Sequence, residues 1–92
     1  MMNTGITQDI MREVRDCIDK ANELLNSQNF NSQNLNELVS IYEKLYSLTS
    51  DIKYKKDIAN ILYFYFNQKG KSLTLYLEYV SQVKNDQTVY YI

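Results

Sequence analysis

The segment from Ile58 to Val83 limits the fold more than any other part of the chain. An unbroken apolar and aromatic run, Ile61-Leu62-Tyr63-Phe64-Tyr65-Phe66, meets the polar stretch Asn67-Gln68-Lys69-Gly70-Lys71, and a second apolar stretch, Leu73 to Val83, follows. The first run is far shorter than the roughly 20 residues a membrane-spanning helix needs, so protein has to cover it. A chain of 92 residues supplies one core, because at this size only about 60–65% of the unfolded surface is buried on folding. The expectation is a single domain, residues 1–92, with the aromatic run on its most buried element.

Helical periodicity runs through the rest. Ile10, Val14, Cys17, Ile18, Ala21, Leu24 and Leu25 recur at steps of three and four, with charged residues on the other face; this predicts a helix over about 8–26, capped by Thr7. The polar connector Ser27 to Gln33 precedes a second helix over about 34–48, with Asn34 as its cap, Glu37 three residues later, and Leu35, Leu38, Val39, Tyr42, Leu45, Tyr46 and Leu48 as its stripe. Thr49-Ser50-Asp51 provides a stop and a new start, so a third helix is expected over about 52–68. Gly70 suits the left-handed position just past a helix end. Ser72 then caps a fourth helix over about 73–85, with Leu73, Tyr76, Leu77, Val80 and Val83 facing inward. The chain has no proline to break these elements.

The competing reading for the second half is a β-hairpin. Leu73, Leu75, Leu77 and Tyr79 also alternate with period two, and the aromatic run is rich in strand formers. Helix is favoured because two clean helices precede it, and two strands alone would leave an unprotected aromatic edge. The predicted fold class is all-α: an antiparallel four-helix bundle with a short irregular C-terminal tail, Thr88 to Ile92.

Composition removes several kinds of chemistry. There is no histidine, and the single cysteine, Cys17, has no evident base beside it and sits on the apolar stripe as a small hydrophobe. The acids are scattered over helix faces rather than clustered as metal ligands, and no glycine-rich phosphate loop is present. No enzyme activity, cofactor, metal or small-molecule substrate is expected. A net charge of −1 argues against a nucleic-acid binder, since such proteins usually carry a strong basic excess. Residues 1–10 have neither a basic start nor an apolar stretch, so a secretory signal is not expected and the cytoplasm is.

Charge and tyrosine are unevenly placed. Residues 49–92 carry Lys53, Lys55, Lys56, Lys69, Lys71 and Lys84 against Asp51, Asp57, Glu78 and Asp86, whereas the first half is acidic. A solvated face explains much of this; a basic half approaching anionic headgroups is the sharper reading. Most of the nine tyrosines fill the core and its rim. Tyr54, beside Lys53, Lys55 and Lys56, and the pair Tyr90-Tyr91 are the better interface candidates.

Length, four expected helices, Leu38-Val39-Ser40-Ile41-Tyr42-Glu43-Lys44-Leu45, and the segment from Asp57 through Ile61-Leu62-Tyr63-Phe64-Tyr65-Phe66 to Lys69-Gly70-Lys71-Ser72-Leu73 together resemble the immunity proteins of class IIa (pediocin-like) bacteriocins, above all the enterocin A immunity type. The likeness covers most of the chain and contains no invariant chemical motif. It implies a cytoplasmic helix bundle that protects a producing cell by binding the bacteriocin-loaded mannose phosphotransferase permease at the inner face of the membrane, with a peripheral membrane contact. The family's specificity lies towards the C-terminal half, which carries over to Lys69, Gly70 and Lys71 and to Tyr90, Tyr91 and Ile92. Charge alone adds Lys53, Lys55 and Lys56. Two other readings remain: a small helical regulatory or antitoxin-like protein with a cytosolic protein partner, and, less supported by the net charge, an RNA-binding helical protein.

Overall fold

A computed structural model describes residues 4–83. It contains four helices, α1 (Thr4–Asn26), α2 (Ser32–Thr49), α3 (Lys53–Phe64) and α4 (Lys69–Gln82), and no strand among the described residues. The all-α reading therefore holds, and the hairpin of strands is excluded for the described part. The chain divides at Ser50 into two compact units, α1 with α2 and α3 with α4. The expected tail, Thr88 to Ile92, and the expected extension of α4 beyond Val83 lie outside the described residues.

In the first unit the helices run antiparallel, as their ion pairs record. Glu13, early in α1, meets Lys44, late in α2, at 2.8 Å, and Lys20, later in α1, approaches Glu37, earlier in α2, at 3.8 Å. The core is built from Cys17, Ala21 and Leu24 on α1 and Leu35, Leu38 and Leu45 on α2. These are the centres of the two predicted stripes. The stripe's flanks, Ile10, Ile18 and Leu25, stay only partly covered.

Several helix starts fall earlier than the sequence pattern suggests. Thr7 does not cap α1, which is already helical from Thr4. Asn31, not Asn34, caps α2: its Oδ1 accepts the Asn34 backbone N–H at 2.8 Å, and Asn34 in turn donates its side-chain amide to the Asn29 carbonyl at 2.8 Å. Several residues able to cap stand in a row here, so spacing alone does not single out the right one.

Helix ends follow one rule. Each connector contains a non-glycine residue with a left-handed backbone: Gln28 (φ 58°), Ser50 (φ 57°) and Asn67 (φ 56°). Ser50 N–H closes α2 on the Tyr46 carbonyl at 2.7 Å, and the next residue, Asp51, opens α3 by accepting the Lys53 N–H on its Oδ1 at 3.1 Å. Gly70, expected in such a left-handed position, does not have one; Asn67 does, three residues earlier. Asparagine tolerates this conformation because its short amide can bond locally.

Leu38 and Leu45 are each 1% exposed. Truncation of either to alanine leaves a cavity that the surrounding α1–α2 side chains only partly fill, so Leu38→Ala should cost about 2–5 kcal/mol. Urea unfolding followed by circular dichroism checks this, and a loss well under about 1 kcal/mol would contradict the assigned core.

Candidate functional site

Most of the residues singled out from the sequence lie on the α3–α4 unit, and the structure sorts them into two groups. Lys53, Lys55 and Lys56 open α3. Lys55 is mostly covered and forms an ion pair with Glu78 of α4. Lys56 places its ammonium over the Tyr79 ring at 5.3 Å, and Lys53 lies over Tyr54 at 5.2 Å and 3.8 Å from Asp51. Tyr54 itself is buried, so it belongs to the core rather than to a surface patch. This basic group fastens α3 to α4 and to its own first turn.

Lys69, Gly70 and Lys71 form the first turn of α4, not a loop between helices. Helix α3 ends at Phe64, four residues sooner than expected: Tyr65 N–H bonds to the Ile61 carbonyl at 3.0 Å and Gln68 N–H reaches back to the Leu62 carbonyl at 2.8 Å. Because α4 then starts at Lys69, Ser72 is not a cap. It is an interior residue, completely buried, with its hydroxyl donating to the Lys69 carbonyl at 3.0 Å.

That early start changes which face of α4 is buried. Ser72, Tyr76 and Tyr79 turn inward, at steps of four and three, while Leu73 and Leu77, assigned to the core from the sequence, are 58% and 59% exposed. Tyr76 anchors the buried face, its hydroxyl donating to Asn60 Oδ1 of α3 at 2.5 Å. Burial, and secondarily Tyr63, pushes the Tyr76 phenol above its ordinary range. The aromatic run is also only partly covered: Ile61 is buried, but Phe64 and Tyr65 are 63% and 56% exposed. It is therefore not the all-round buried centre that the sequence suggested.

Tyr63, Phe64 and Lys69 meet at the connector end of the hairpin. The Tyr63 ring packs edge-on against Phe64 at 4.9 Å between centroids and carries the Lys69 ammonium at 5.5 Å. Lys69, Leu73 and Leu77 follow at four-residue steps, so one side of α4 continues the aromatic cluster. Lys71 lies two residues on from Lys69, about 200° around the helix, and projects from the other flank. The basic elbow is thus divided, with only Lys69 joined to the aromatic and leucine strip. Sequence reasoning missed Phe64, Tyr65, Leu73 and Leu77 as surface residues. The signal that would have found them is the four-residue step from Ser72 to Tyr76, which competes with the step from Leu73 to Leu77. Tyr90, Tyr91 and Ile92 lie outside the described residues.

Helix α4 begins without help from side chains. Gln68 forms no side-chain cap and the first turn has no acid. Lysines there oppose the helix dipole, each at a cost of about 0.3–1 kcal/mol. Between Asp57 and Glu78 the chain has no acid at all. In the first unit, the N-terminal half of α1 and the end of α2 frame an apolar groove of about 460 Å³, lined by Ile10, Met11, Val14, Arg15, Ile18, Leu48 and Thr49. No helix among the described residues is long and apolar enough to cross a membrane. Comparison of the chain with protein-family models, curated proteins and solved structures gives no match.

Two measurements test this site's construction. Gly70 does not have a left-handed backbone, and a Cβ added there would meet nothing within 4 Å. Gly70→Ala should therefore stabilise the fold by about 0.5–1 kcal/mol through lower backbone entropy in the unfolded chain; destabilisation would show that the glycine is structurally required. Asp57 is half-buried, and burial raises its carboxyl above the usual range, although Lys53 and Lys56 pull it down. The folded state then binds the proton more tightly than the unfolded chain, so stability falls as pH rises through the folded pKa. Asp57→Asn should raise Tm near neutral pH, and the gain should vanish at about pH 3, where the acid is protonated in both states.

Proposed function

We propose that this chain is a bacteriocin immunity protein that works by binding, in the cytoplasm and at the inner face of the membrane, to a pediocin-like bacteriocin docked on the mannose phosphotransferase permease. The observation that carries this reading is the exposed strip of Phe64, Lys69, Leu73 and Leu77, which starts at the connector end of the α3–α4 hairpin and runs along one side of α4. Their exposed apolar area contributes little to the core of this hairpin. They fall in the late half of the chain, to which the resemblance to class IIa immunity proteins assigns specificity. Large exposed apolar side chains that cluster beside a polar rim mark contact surfaces more often than inert ones.

Binding explains the arrangement better than catalysis does. The strip offers area, aromatic faces and positive charge, and its one charged group is Lys69, seated on the Tyr63 ring, rather than a nucleophile with a base. Lys71, on the opposite flank of the same turn, would contact a partner only if the partner wraps around the hairpin end.

Expression in a sensitive strain should raise tolerance to a narrow group of pediocin-like peptides, read as the minimum inhibitory concentration across a panel. Lys69→Glu combined with Lys71→Glu should abolish that protection while the circular dichroism spectrum stays helical. Unchanged killing across the whole panel would remove the immunity reading. Recovery of a soluble protein partner, with or without bacteriocin, would favour a regulatory module instead.

A further inference from the structure

We infer that the strip along one side of the α3–α4 hairpin is a docking surface for anionic phospholipid, which engages a bilayer directly and needs neither bacteriocin nor permease. Four observations lead there. Lys69, Leu73 and Leu77 stand at four-residue steps on α4, so one charge and two exposed leucines occupy about 12 Å of one helix side. The Lys69 ammonium rests on Tyr63, whose ring touches the exposed Phe64, and this joins an aromatic cluster of α3 to the leucines of α4. No acid lies anywhere between Asp57 and Glu78, and Glu78 is already paired with Lys55. A ring face attracts a cation without cancelling its charge, so Lys69 stays available to an anion.

The chemistry also suits a lipid surface, on which the proposed membrane-bound partner would be met. Every cation from Asp51 onward is lysine; both arginines, Arg12 and Arg15, lie in α1. Lysine is depleted at protein–protein interfaces, where the forked arginine side chain is preferred, whereas a diffuse field of anionic headgroups attracts lysine as a point charge. Leucine and phenylalanine can sink to the acyl boundary while the lysine stem extends along them and keeps its ammonium among the phosphates. Lys71, on the far flank of the same turn, supplies a second charge near the surface without entering it.

The test uses the purified full chain and vesicles of phosphatidylcholine, alone or mixed with phosphatidylglycerol. Sedimentation should recover the protein with mixed vesicles and not with phosphatidylcholine alone, and added salt should weaken binding. Lys69→Glu should lower partitioning by roughly tenfold, and Leu73→Asn with Leu77→Asn should abolish it. The chain has no tryptophan, so Leu77→Trp provides a single reporter whose emission should shift to the blue on mixed vesicles only. No partitioning of the wild-type chain at low salt overturns the proposal. So does equal partitioning of the double leucine variant together with an unshifted emission from the tryptophan reporter. A concentration-dependent dimer that the leucine variant dissociates, without lipid binding, also overturns it and makes the strip a contact between copies. Because no bacteriocin is present, failure here leaves protection in cells as a separate question.

Discussion

Asn67 determines the phase of α4, and the character of the α3–α4 surface follows from that phase. Its left-handed backbone turns the chain directly after Phe66, and α4 begins two residues later at Lys69. Once the helix starts there, Ser72, Tyr76 and Tyr79 share the inward face, and Leu73 and Leu77 are carried out into solvent. A start at Leu73, capped by Ser72, would have left the Ser72 hydroxyl at a helix end. In the observed helix the hydroxyl turns back onto the Lys69 carbonyl at 3.0 Å, which lets a serine be fully buried without an unsatisfied group.

Burying tyrosine in preference to leucine has a chemical reason. Each buried ring removes a large apolar area from water, but its hydroxyl needs a partner. Tyr76 finds Asn60 at 2.5 Å across the hairpin, and Tyr79 receives the Lys56 ammonium over its ring. Leucine could fill the same space but could not fix the register of α4 on α3. The Tyr76–Asn60 bond, the Lys56–Tyr79 contact and the Lys55–Glu78 pair all bridge the same two helices. Together they specify one alignment where an all-leucine face would accept several.

The helical class and the first hairpin were legible in the sequence because their stripes are unambiguous. Cys17, Ala21 and Leu24, and Leu35, Leu38 and Leu45, each sit at the centre of a predicted face and are buried. The second hairpin was harder for a physical reason. The apolar side chains of α4 spread over more than half of its circumference, so periodicity does not choose between neighbouring faces about 100° apart, and the choice falls to the turn. Gly70 was the natural candidate for a left-handed residue, but asparagine can take that role, and the sequence offers both within four positions. The candidate site inherited this ambiguity. Lys69 is reached through the basic elbow and the family resemblance, while its aromatic and leucine neighbours are assigned to the core.

The two hairpins also treat charge differently, and the difference bears on function. In α1–α2 the lysines meet carboxylates: Lys44 with Glu13, and Lys20 with Glu23 and Glu37. In α3–α4, Lys55 has Glu78, but Lys56 and Lys69 lie over aromatic rings. An exposed ion pair neutralises charge and contributes little stability, typically under about 1 kcal/mol. A lysine on a ring is positioned to a similar degree yet keeps its full charge and field. Lys69 combines that fixed charge with an acid-free stretch of twenty residues, 58–77, and with exposed leucines on the same side of its helix. Burying those leucines against a partner would also raise the field from Lys69 by excluding water, so apolar and electrostatic attraction would reinforce each other along one side of the hairpin.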